Sequence, residues 1–307
     1  GDFSSIGGIS ASRIAKWDGT AWSALGTGVS SGVYTIAVSG SSIYAGGFLT
    51  SAGGTPASYI AKWDGSAWSA LGTGMNTIVR GIPVSGSDVY AVGSFVTAGG
   101  SPAASIAKWD GTAWTALGSG LTGYASAVTV VGNTVYAGGG FQAAGGQTLN
   151  HIAKWSSGSW SPLPAQSGNT FGGMQDTGIS TEINGMANGP DGIYAGGLFT
   201  LAGRTEASRI ARWDGDSWHS LGTGMNSVVY AVAVSGTDIY AGGFFTTAGG
   251  VTANRIAKWD GTSWSALGTG MNNTVYALAV SGTDVYAAGE FTTAGGVPAN
   301  RVAKWNG

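Results

Sequence analysis

The chain has no cysteine among its 307 residues. That excludes disulfide stapling, thiolate catalysis and thiolate metal sites, but it does not decide the compartment. Charge is also scarce: Asp, Glu, Lys and Arg make up 9 % of residues, and the formal net charge is −2. An average soluble domain carries roughly a quarter charged residues. Seven basic residues recur at one phase of the sequence: Lys16, Lys62, Lys108, Lys154, Arg212, Lys258 and Lys304. Cations spread this evenly do not form a phosphate-tracking patch, so no nucleic-acid partner is expected. No apolar run reaches the length of a membrane-spanning helix, and no membrane span is expected. The two histidines, His151 and His219, fall at different phases of different predicted strands and make no shared site. There is no phosphate-binding loop. No catalytic residue, metal site or cofactor is expected.

What is abundant is tryptophan in a fixed frame. The phrase Ile256-Ala257-Lys258-Trp259-Asp260-Gly261-Thr262-Ser263-Trp264 has copies throughout. Its first Trp falls at Trp17, Trp63, Trp109, Trp155, Trp213, Trp259 and Trp305, and a second Trp follows five residues later in all but the last copy. The step is 46 residues, except for one of 58 between Trp155 and Trp213. A fixed period in the forties marks a repeat architecture.

One unit shows the expected strands. Val228 to Val234 is apolar on both faces, as in a strand buried on both sides. Ser235-Gly236-Thr237-Asp238 is a tight-turn signal, and Ile239 to Phe245 a second strand. Thr246 to Asn254 is expected to be a long loop. Arg255 to Trp259 is a third strand, Asp260-Gly261 a hairpin turn, and Ser263 to Leu267 a fourth strand. Four short antiparallel strands per repeat with no helical period predict an all-β fold, a β-propeller of four-stranded antiparallel blades in a single domain spanning 1–307. Six blades is the expected number, with seven, one incomplete, as the alternative.

The Gly-Gly pair ending the second strand, the aromatic ending the third and the Trp opening the fourth resemble the kelch repeat. The strand rhythm is similar to that of secreted propeller repeats in general. The likeness covers nearly the whole chain, but the unit is slightly short and has Trp17 and its equivalents where kelch has Tyr before the turn. The resemblance implies a propeller and almost nothing about activity. A kelch-like copper-radical oxidase would need a cysteine, and a sialidase-like propeller would need an arginine cluster. Neither requirement is met.

In a propeller the last blade is commonly shared between the chain ends. Its outer strand is here expected from around Trp22, which leaves one third strand, Arg13–Trp17 or Arg301–Trp305, surplus and free to pair with another molecule. The chain begins in mid-repeat without an initiator Met and reads as a processed or truncated product. With low charge, many Ser, Thr and Gly and no Cys, the expectation is an extracellular or cell-surface protein.

Architecture claims whatever recurs in every repeat, so candidate binding residues are sought among the departures. The insertion between two repeats offers Phe171, Met174 and Asp176. The first strand varies at Tyr34, Arg80, Ser126, Asn184, Tyr230 and Tyr276, of which Arg80 and Asn184 are candidates at a channel mouth. Asn76, Asn226 and Asn272, in the turns between repeats, offer hydrogen bonds to a ligand or cap those turns. The recurring tryptophans are expected to fill gaps between blades rather than bind sugar. The two copies near 225–257 and 271–303 are alike enough to suggest recent duplication. The functional expectation is a non-catalytic structural or adhesive scaffold, possible subunit of an assembly, with a multivalent glycan-binding lectin as the alternative and an enzyme third.

Overall fold

The computed structural model describes residues 1–163 and 178–307. Every regular element among them is a β-strand or bridge, and the strand pairs are antiparallel. The chain forms two compact units, one comprising Gly1–Ala137, Gln142–Thr148 and Trp155–Trp160, the other Gly138–Phe141, Leu149–Lys154 and Ser161–Gly307.

The second unit holds the clearest repeat. Val229–Ser235, Asp238–Gly243, Ile256–Trp259 and Trp264–Ala266 pair in that order as a four-stranded sheet. The alternation of Val and Ala in the first strand and of Ile and Ala in the third puts one set of side chains on each face, and both faces are covered. Ile239, Ala241, Ile256 and Ala257 are fully buried or nearly so. Ile183–Gly189, Gly192–Gly197, Ile210–Trp213 and Trp218–Ser220 repeat the pattern. The C-terminal sheet has three strands, Val275–Ser281, Asp284–Gly289 and Val302–Trp305.

The first unit holds the sheet Val33–Ser39, Ser42–Gly47, Ile60–Trp63 and Trp68–Ala70. The sheet at 79–116 has the same order but breaks its first strand into Val79–Gly81 and Val84–Ser85. Pro83 lies between the two pieces and lacks the N–H a continuous ladder needs. At the N-terminus Ala15–Trp17 pairs with Trp22–Ala24 in a two-stranded sheet. Trp22 faces Trp17 across the repeat's own Asp-Gly hairpin.

The stretch expected as a long loop is a small hairpin. Thr247–Ala248 pairs with Val251–Thr252 across Gly249 and Gly250, whose φ values of 59° and 83° fit the two-residue turn that matches strand twist. Each hairpin is tied to the segment that links it to the preceding repeat: Met225 bridges Ala248, Met271 bridges Ala294, and Met75 bridges Ala98.

The tryptophans are architectural. The indole N–H of Trp68, Trp114, Trp160 and Trp264 donates to the carbonyl of Leu25, Leu71, Leu117 and Leu221, each at 2.8 Å and 43 residues earlier. The fourth-strand Trp of one repeat is therefore bonded into the end of the repeat before it. The third-strand Trp packs against the same neighbour: a Cβ on Gly222 would lie 3.3 Å from the Trp259 ring. These two rings also meet each other, with Trp259 and Trp264 centroids 5.5 Å apart at 51°.

Candidate functional site

Most polar side chains that recur in every repeat are consumed by the fold. The Asp of each Trp-Asp-Gly turn accepts two backbone N–H groups, as Asp64 does from Ser66 and Ala67 at 2.8 Å each. These bonds, with that of the Ser66 hydroxyl, lower the Asp64 carboxyl to about 2. Several of the recurring cations pair within their sheets, Lys108 with Asp88 at 3.1 Å, Lys258 with Asp238 at 2.5 Å and Lys304 with Asp284 at 2.9 Å. Arg212 pairs with Asp191 in the same way.

The turn asparagines are engaged too. Asn226 accepts from the N–H groups of Thr246 and Thr247 and donates to the Thr246 hydroxyl at 2.8 Å. Asn272 makes the same three bonds to Thr292 and Thr293, and Asn76 accepts from Val96 and Thr97. Each amide pins the small hairpin of its repeat. Phe171, Met174 and Asp176 lie outside the described residues.

The variable first-strand position has a structural cause that the sequence reading missed. Tyr34, Arg80, Asn184, Tyr230 and Tyr276 each occupy a register shift in the pairing of first and second strands. A bulge leaves one residue unpaired and re-aims its side chain, and bulges concentrate next to functional sites. The break in strict alternation that would betray it is hidden, because both faces of this strand are apolar.

In the second unit the bulge residues form a row with the residues that follow the second strand. The Tyr230 and Tyr276 rings are 5.2 Å apart at 55°. Phe244, half exposed, lies under the Arg255 guanidinium at 4.6 Å. Burial first, then the charge of Glu290, raises the Tyr276 hydroxyl above its ordinary value. The Asn184 amide nitrogen is buried and has no hydrogen-bond partner. In the first unit Tyr34 packs on Phe48 at 5.8 Å, and Arg80 lies over the Tyr124 ring at 5.4 Å with its Nε 3.5 Å from the Ser94 hydroxyl.

A second buried donor without a partner is Trp218 Nε1. Its equivalents bond to a carbonyl of the preceding repeat, and the 12-residue insertion falls in the intervening stretch.

Nothing in the described residues assembles a catalytic constellation. His219 Nε2 lies 2.6 Å from Asp214 Oδ2 and 3.1 Å from the Ser217 hydroxyl. One nitrogen serves both, whereas a Ser-His-Asp triad needs a different ring nitrogen for each. Gly28-Val29-Ser30-Ser31-Gly32 has the spacing of a nucleophile elbow, which sits on a strand-to-helix turn. Here Ser30 accepts from the N–H groups of Thr50 and Ser51 at 2.9 and 3.0 Å and caps a hairpin. His151 is one of seven residues at a single repeat position with φ between 62° and 70°, its Nδ1 3.2 Å from the Gly139 carbonyl. No group of three or more metal-ligating side chains gathers among the described residues.

Comparison with solved structures places the fold. The WD40 β-propeller domain of Doa1 is similar with a TM-score of 0.55 at 12 % identity, covering 86 % of this chain and 77 % of that one. The computationally designed Ika8 protein gives 0.52 at 17 % identity, covering 86 % and 70 %. The chain is thus an all-β repeat protein of the β-propeller class. No protein-family model and no curated protein matches it.

Proposed function

We propose that this protein is a non-catalytic scaffold, extracellular or displayed at a cell surface, with a structural or adhesive role. The observation that carries the proposal is the division of labour among its side chains. Recurring Trp, Asp, Lys and turn Asn residues are spent on packing, turns and in-sheet pairs, and the residues free to vary stand at strand bulges. That pattern suits a rigid frame presenting a few side chains, not a frame built around one reactive centre. Turnover of ester, glycoside or phosphoester substrates at a rate lost on His219→Ala or Ser30→Ala would refute it.

Glycan binding is the second reading, favoured by the adjacent Tyr230 and Tyr276 rings, the half-exposed Phe244 and the unpartnered Asn184 amide of the same unit. Sugar C–H faces stack on such rings, and an amide donor meets a hydroxyl. Because the tryptophans are committed to the fold, tyrosine is the reporter to use. Calorimetric titration with a glycan panel would give saturable heat for one sugar class, reduced at least tenfold by Tyr276→Ala. Equal binding by wild type and variant, or no binding, removes the lectin reading and leaves the scaffold.

A further inference from the structure

Between the sheet at 79–116 and the repeat that follows it, wholly within the first unit, lies an open groove of about 450 Å³. That volume falls in the range of roughly 300–1,000 Å³ typical of small-molecule sites. Asp88 and Tyr90 line it from the second strand, Lys108 from the third and Thr115 from the fourth. Asn133 and Trp155 line it from the next repeat.

The lining is polar but carries no spare charge. Lys108 donates to Asp88 at 3.1 Å, so an ionic ligand would lose its water without meeting a free counter-charge. Hydrogen-bonding capacity of both kinds remains. Lys108 keeps two of its three donors, and the carboxylate keeps lone pairs. The Thr115 hydroxyl donates to the Lys108 carbonyl at 3.3 Å and can still accept. Asn133 is exposed, and its amide makes no hydrogen bond among the described residues. Trp155 supplies a fixed apolar wall. It is half-buried, and a Cβ on Gly118 would lie 2.9 Å from its Cζ3.

The second unit shows what closes this place elsewhere. There the Ser235 hydroxyl donates to the Gly282 carbonyl at 3.0 Å and ties two neighbouring turns together. Ser85 and Gly132 hold the same two positions in the first unit, make no such bond, and both line the groove. The strand that leads to Ser85 is the one broken around Pro83. Asn133 is itself a departure, standing where other repeats have Ser41, Ser87, Asp191, Thr237 and Thr283.

We propose that this groove binds a neutral hexopyranoside unit of a glycan. A sugar ring offers an apolar C–H face to Trp155 and hydroxyls that both donate and accept, which matches the lining group for group. The Asn133 amide takes one hydroxyl, and the Lys108–Asp88 pair takes another. The choice of a sugar rests on the glycan reading above, but the site uses none of the second-unit tyrosines.

The test is an amide NMR titration of the full-length 15N-labelled chain with the methyl glycosides of glucose, galactose and mannose. At least one is expected to shift the backbone amides of Thr115, Gly132 and Asn133 saturably, and methyl glucuronide is expected to bind more weakly. Asn133→Ala should weaken binding at least about threefold, the loss of one hydrogen bond. Thr115→Phe, at an exposed strand position, should fill the groove and abolish binding while leaving circular dichroism unchanged. Thr237→Ala, at the Asn133 position of another repeat, and Tyr276→Ala should leave the titration as it is. No saturable shift with any neutral glycoside overturns the proposal, as does glucuronide binding as tightly as the neutral sugars. Binding that survives Thr115→Phe but is lost in Tyr276→Ala also overturns it, and leaves the tyrosine reading standing.

Discussion

Two neighbouring sheets in the second unit have nearly the same sequence and different surroundings. The sheet from Val229 to Ala266 is complete and has a further sheet beyond it. The sheet from Val275 to Trp305 has three strands. Ile256 is buried and Val302 is not; Ala257 is buried and Ala303 only partly so. The same words of sequence are thus buried to different extents in the two sheets. Glycine usage carries the same lesson. Gly242 sits where a Cβ would lie 2.6 Å from Val275 of the following sheet, and the same register in the terminal sheet is Ala288.

The largest test of this contrast truncates the aliphatic side chain at the same register in both sheets. Ile256→Ala should cost about 3 kcal/mol, the usual range for emptying a buried aliphatic site. Val302→Ala should cost less than about 1 kcal/mol, because part of that side chain already faces water. Urea denaturation midpoints of the two variants measure the difference, and equal costs would mean that the terminal sheet is covered in solution. Next comes Gly242→Ala, expected to destabilise by about 1–3 kcal/mol through overpacking against Val275. The reverse change, Ala288→Gly, should cost no more than about 1 kcal/mol, the loss of backbone restriction.

A smaller effect is set by acid. The turn carboxyls of Asp18, Asp64 and Asp110 are lowered to about 2 by the backbone N–H groups they accept. A folded pKa below the unfolded value of about 3.9 gives stability that is complete above that value and is lost as pH falls toward 2. The melting temperature should therefore drop between pH 4 and pH 2. The triple variant Asp64→Asn, Asp110→Asn, Asp260→Asn should start lower and fall less steeply. The terminal repeat already has Asn306 at this position, so it contributes nothing to the slope. The smallest effect belongs to Lys258→Gln, which breaks the partly exposed pair with Asp238 and should cost under about 1 kcal/mol at low salt.

The frame of the fold was legible because a two-residue strand period, a Gly-containing turn and a Trp at constant phase all speak locally. Asp260 could be assigned to its turn from its neighbours alone. What stayed hidden depends on contacts between repeats. The bulge at Tyr230 leaves no mark in a strand that is apolar on both faces. The hairpin at Thr247–Thr252 was taken for a loop because each of its strands is only two residues long. Its partner, the Met225 linker, lies more than twenty residues away. Of the site candidates, the insertion residues cannot be placed, and Asn76, Asn226 and Asn272 proved to be tied to Thr and Val backbones in the next hairpin. Arg80 and Asn184 each occupy a bulge, one in each unit.

The indole bond from Trp264 to Leu221, repeated at a separation of 43 residues along the chain, also governs how the protein comes apart. Every long contact of this kind reaches only one repeat back, so the molecule approximates a one-dimensional lattice with nearest-neighbour coupling. Loosening one repeat in such a lattice weakens its immediate neighbours first. Amide exchange should be faster in Val302–Trp305, where Val302 is 37 % exposed, than in Ile256–Trp259, where Ile256 is 1 % exposed, although the two stretches hardly differ in sequence.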